Sequence, residues 1–186
     1  MSNTQTLTLG RSIADGRPLP IALDPSGIFL TKNYFKRYFL SAYSNQTQTN
    51  PVANTENIMT FNNTVEGYGI SVNTATFSQT IFQYAGTYSI TFSAQLDKTD
   101  SGSDTLDIWL KKNGTNVADS NTRYTLLGNN AKQVAIVNYI LSVNAGDYFQ
   151  FAWSSPDVDV RLYYEGTSTT PTRPAIPSVI VTILQI

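Results

Sequence analysis

The run GTYSITFSAQL, Gly86 to Leu96, alternates without a break. Tyr88, Ile90, Phe92, Ala94 and Leu96 fall on one side, and Ser89, Thr91, Ser93 and Gln95 on the other. A period of two over so many residues is the signature of a strand with one face in a core. The same reading extends along the chain from about Tyr34. YFKRYFLSAYS, NIMTFNN, YGISV, ATFSQTIF, TLDIWLKKNG, KQVAIVNYILSV, DYFQFAW, DVRLYYEG and PSVIVTILQI are all strand-like. Turn residues separate them, among them Asn62-Asn63, Asp100 to Asp104, Gly128-Asn129-Asn130 and Ala145-Gly146-Asp147. Asn113-Gly114, directly after the alternating Leu106 to Lys111, is the strongest short hairpin signal. Eight to ten short strands and no long helix predict an all-β sandwich or jelly roll.

Three strands break the half-buried pattern. In QVAIVNYILSV, Val134, Ile136, Asn138 and Ile140 lie on one side and Ala135, Val137, Tyr139 and Leu141 on the other. Phe149, Phe151 and Trp153 oppose Tyr148, Gln150 and Ala152, and Val179, Val181 and Ile183 oppose Ile180, Thr182 and Leu184. A strand that is apolar on both sides needs a second cover. Each large apolar group left wet forfeits ~1.5–3 kcal/mol, and a monomer seldom tolerates a patch of them. The simplest cover is another copy of the chain. Trp109, set among Asp107 and Lys111, packs at the same subunit boundary or against the loop beyond the sheet. Trp109, Val137, Tyr139, Leu141, Phe149 and Phe151 are the candidate interface residues.

Residues 1–34 are different in style. Gly10, Gly16, Pro18, Pro20, Pro25 and Gly27 interrupt short apolar beads such as Leu19, Ile21, Leu23, Ile28, Phe29 and Leu30, so no period survives. The domain organisation expected is an extended arm, 1–34, and a sandwich domain, 35–186. The arm is either free or ordered by lying on another surface. Residues 1–40 carry a net +3, from Arg11, Arg17, Lys32, Lys36 and Arg37 against Asp15 and Asp24, while the whole chain is at −1. Arg11, Arg17, Ile21, Leu23, Phe29 and Lys32 are therefore the candidate docking residues of the arm.

Composition removes whole classes of chemistry. The chain has no histidine, which takes away the commonest general base and zinc ligand, and no cysteine for a disulfide or thiolate. Only 13% of its residues are charged, against ~25% in an ordinary domain, so Thr, Ser, Asn and Gln cover the surface. The basic charge is too thin for nucleic acid. No secretory start and no ~20-residue apolar run are present, so the expectation is a protein made in a cytoplasm. The sequons at Asn45 and Asn113 are then accidental. Asp157 and Asp159 could pair for glycoside hydrolysis, or join Asp147 to hold calcium. The plain alternative is a solvated pair of carboxylates. No phosphate-binding glycine loop occurs. No catalytic residue, cofactor or resident metal is expected.

FSQTIFQYAGTYSITFSA, then LDIWLKKNG, then ILSVNAGDYFQFAW, then an apolar last strand follow one another in a familiar order. This order resembles the globular head of complement component C-one-q, a member of the tumour-necrosis-factor-like jelly rolls. Gly86, Tyr88 and Phe92 match one element of the family pattern, Lys112, Asn113 and Gly114 a second, and Leu141, Gly146 and Asp147 a third with one extra residue. The resemblance covers about residues 36–186 and implies a ten-stranded jelly roll in a tight homotrimer. The chain departs from it in PSVIVTILQI, which replaces the usual Phe-Ser-Gly-Phe, and in having no collagen stalk. By analogy, a cysteine-free trimer with a Pro/Gly arm fits a bacteriophage virion protein, non-enzymatic and decorating a capsid surface. The alternative is a receptor- or glycan-binding tail-fibre or tip module, with Tyr163, Tyr164, Trp153 and the loop GTSTTPTRP as its contacts.

Overall fold

The computed structural model describes residues 37–186, and these form one compact unit, Arg37–Ile186. The strands in chain order are β1 (Phe39–Ser44), β2 (Gln48–Thr49), β3 (Asn57–Ile58), β4 (Asn63–Tyr68), β5 (Ile70–Val72) and β6 (Thr80–Phe82). Then come β7 (Gly86–Lys98), β8 (Ser103–Lys112), β9 (Thr115–Asn116), β10 (Thr122–Leu127) and β11 (Lys132–Val143). The last are β12 (Tyr148–Ser154), β13 (Val160–Leu162), β14 (Ser168–Thr169), β15 (Thr172–Arg173) and β16 (Val179–Gln185). The candidate docking residues of the arm lie outside the described residues.

Every strand pair is antiparallel, and the chain crosses repeatedly between two sheets. The first sheet runs β4–β1–β16–β7–β11, with β13 taking over from β16 along the same side of the long β7. The second runs β10–β8–β12–β6–β5, with β3 beside β12 and β9 folded back on β8. This is the expected jelly roll. The alternation that predicted β7 is reproduced residue by residue: Tyr88, Ile90, Phe92, Ala94 and Leu96 are buried, while their neighbours from Ser89 to Gln95 are not. Asn113 and Gly114 both have positive φ, 51° and 79°, which builds the two-residue turn between β8 and β9.

The core lies between the sheets. Phe151 meets Phe92 at 4.7 Å and Phe61 at 6.0 Å between ring centroids, and Phe82 meets Tyr88 at 4.8 Å and Phe149 at 5.4 Å. Each such side chain contributes ~1.5–3 kcal/mol by leaving water. Phe149 and Phe151, expected at a subunit interface, are instead 1% and 0% exposed inside the sandwich. Their strand has its other side covered by its own chain. Tyr148 and Gln150 on that side are half-buried and Ala152 is buried within the chain, so β12 needs no second copy.

Candidate functional site

The first sheet leaves an apolar face in water. β16 presents Ile180 and Leu184 outward, and Ile186 follows them; β11 presents Val134, Ile136 and Ile140. Their exposures are 37, 51, 59, 48, 64 and 62% in that order, together about three whole side chains left in water. At ~1.5–3 kcal/mol per side chain the face withholds ~5–9 kcal/mol of burial. Strand geometry makes it a trough. β7 runs between β11 and β16 and offers only the small Ser89, Thr91 and Ser93, so the two aliphatic ridges stand ~10 Å apart.

Register turns the trough into rows. Leu184, Ser89 and Ile140 lie level, and so do Ile180, Ser93 and Ile136. Between them runs a polar row of Ser41, Thr182, Thr91 and Asn138. The Asn138 amide donates to Ser89 Oγ at 2.9 Å and Thr91 Oγ1 at 2.6 Å. One end of the face is closed by charge. Asp97, nearly buried on β7, accepts from Lys132 Nζ of β11 at 2.8 Å and Arg161 Nε of β13 at 2.6 Å. The same two cations approach the Tyr163 ring to 4.3 and 4.7 Å.

The expected interface residues of β11 fall on the other side of the strand. Val137, Tyr139 and Leu141 turn inward and pack half-buried on the core with Val117 and Tyr124. They line an open edge, because β10 and β11 each end their sheet on the same side of the sandwich. Burial there pushes the Tyr139 phenol up to about 12, and its hydroxyl donates to the Ser120 carbonyl at 2.8 Å. The period-two pattern could not choose between the faces of β11, since both are apolar.

Trp109 stands on the outer face of the second sheet, away from the trough. Its indole donates to Asn116 Oδ1 on β9 at 3.0 Å, so it rests against the segment beyond the hairpin. Of the aromatic residues expected to contact a glycan, Trp153 is 1% exposed and unavailable. Tyr163 is occupied by its two cations, and Tyr164 is half-buried with its backbone N–H donating to Thr47 Oγ1.

The three aspartates considered for calcium are not brought together. Asp147 and Asp157 sit beyond opposite ends of β12, ~20 Å apart by strand rise. Asp147 accepts from Lys112, Asn113 and the Asn144 amide, and the Lys112 hydrogen bond leads in pulling its carboxyl down to about 2. Asp157 and Asp159 occupy a turn and not a strand, with Asp157 Oδ1 accepting the Asp159 amide at 2.7 Å. That spends the pair on backbone geometry, and an alternating strand face for general acid and base is not formed. Asp157 gathers instead with Asp100 and Asp104. The place a metal would take there is held by the Lys98 ammonium, which bonds Asp104 and the Ser101 carbonyl and lies 3.4 Å from Asp100. Burial works against that charge, but the bonds to Asp104 and Asp100 outweigh it and hold the Lys98 pKa above its ordinary value.

No family model and no curated protein matches the sequence. Solved structures do share the fold. Murine APRIL superposes with a TM-score of 0.51 at 10% identity, over 81% of this chain and all of that one. The globular domain of the zebrafish complement 1qA protein gives 0.47 at 14% identity, over 81% and 98%. At such identities the murine likeness speaks to the fold alone. The chain shares the jelly-roll fold of that structure.

Proposed function

We propose that this chain is a non-enzymatic structural protein that assembles as a homotrimer and decorates the head surface of a bacteriophage capsid, attached through residues 1–34. The observation that carries the assembly is the trough of β11, β7 and β16. Its six wet aliphatics favour association by ~5–9 kcal/mol, comparable with the ~4–15 kcal/mol that association costs. A second copy of the chain is the occupant because the chain also carries a counterpart. The edge of Val117, Tyr124, Val137, Tyr139 and Leu141 is apolar, half-buried against the core and distinct from the trough. An edge seated in a trough is a head-to-tail contact, which closes into a ring where the rotation between copies allows it. The resemblance to trimeric jelly rolls supports the number three.

The virion setting is supported by the neutral polar surface, the lack of histidine and cysteine, and the Pro/Gly-broken residues 1–34, which carry Arg11, Arg17 and Lys32 against Asp15 and Asp24. It is tested by deleting residues 1–34 and following incorporation into phage particles. The truncated protein should keep the oligomeric state of the full chain and be lost from particles. Undiminished incorporation would overturn the docking role without touching the trimer.

A further inference from the structure

We infer that Asn138 sets the register of the assembly; this rests on the reading that a second copy covers the trough. Asn138 sits in the one polar row that crosses an aliphatic face, level with Thr91, Thr182 and Ser41. Aliphatic rows flank it on both sides, Leu184 with Ile140 and Ile180 with Ile136. Both hydrogens of its amide are committed inside the chain, to Ser89 Oγ and Thr91 Oγ1. This fixes which end of the amide faces out. Among the described residues the Asn138 carbonyl oxygen accepts from no donor, and the Ser89 and Thr91 hydroxyls, which receive the amide, still have a hydrogen each to give.

In water this arrangement costs nothing. Under a second copy the carbonyl must receive a donor, because a buried acceptor left unpaired lowers an association constant ~5–150-fold. A partner aligned with the polar row can supply it. A partner slipped by two residues, ~7 Å along the strands, sets its polar group on Ile136 or Ile140 and leaves Asn138 unpaired. A wholly aliphatic trough would accept all these positions alike. A single polar side chain that gives up affinity to specify one alignment is a known device of helical assemblies, and this sheet face has the same ingredients.

The test compares the full-length wild type, Asn138→Leu and Asn138→Thr by native mass spectrometry at matched concentration, with circular dichroism to verify folding. The wild type and N138T should each give one assembled species. N138L should dissociate at least fivefold less readily and spread over several masses. A single N138L species of wild-type mass, or N138L and N138T behaving alike, would overturn the assignment. A wild type of 20.5 kDa throughout would instead remove the covered trough itself, a result distinct from the failure of Asn138 within an intact assembly.

Discussion

Substituting Ile136→Asp strikes the trough where it is most exposed. Ile136 is 64% exposed on the free chain and lies level with Ser93 and Ile180. Covering that fraction of a side chain is worth ~1–2 kcal/mol per contact. Replacing it by a carboxylate loses that term and adds the desolvation of a charge with no cation in its row, several kcal/mol more. The total is at least ~3 kcal/mol per contact, and each 1.4 kcal/mol is tenfold in affinity. The dissociation constant of each contact should therefore rise by more than ~100-fold. The folded chain itself should change by no more than ~1 kcal/mol, because the side chain points to solvent on an edge strand. Sedimentation velocity over a wide concentration range reads the first quantity, and urea unfolding of the separated chain reads the second. An I136D protein that sediments like the wild type would refute the reasoning. So would one that fails to fold, since Ile136 would then be serving the core.

Three further outcomes test other parts of the structure. A Cβ at Gly69 would come 2.3 Å from the Tyr38 ring on a backbone at φ +71°, so Gly69→Ala should lower stability by ~2–5 kcal/mol in urea; a change under 1 kcal/mol would contradict that packing. The Trp153 indole N–H is buried without an acceptor among the described residues, which costs ~1–3 kcal/mol. Trp153→Phe relieves this and should fall well short of the ~3–5 kcal/mol of a Trp→Ala change; an equal loss measured by chemical denaturation would show that the donor is satisfied. Asp147 is held down from an ordinary 3.8 to about 2 by Lys112, Asn113 and the Asn144 amide. Its folded value is depressed, so its contribution is present above about pH 4 and is lost as pH falls toward 2. Asp147→Asn should flatten the acid limb of the thermal midpoint in that window, and an unchanged limb would contradict the assignment.

The parts of the fold that were legible share a local cause. β7 and β8 face the core on one side only, so their burial is written in the period of the chain, and the Asn113-Gly114 turn needs nothing beyond its own two residues. What was misread depends on neighbours distant in sequence. Phe149 and Phe151 are buried against Phe82, Phe92 and Phe61, all more than 50 residues away in sequence. Nothing in DYFQFAW announces that cover. On β11 the two faces carry near-equal apolar content, and only the pairing with β7 shows which of them faces water. Lys98 is a charge in an otherwise exposed-looking turn sequence, and its burial is compensated by Asp100 and Asp104, which the fold sets beside it. Asp157 and Asp159 alternate with valines in Asp-Val-Asp-Val, yet they lie in a turn, where the Asp159 amide donates to Asp157.

The central claim is that the trough of β11, β7 and β16 is covered by further copies of this chain. The most direct test is the mass of the purified full-length protein by light scattering coupled to size exclusion. One chain is 20.5 kDa. The account predicts a single species at three times that mass which falls apart on Ile136→Asp. A stable species of one chain at all concentrations would contradict it.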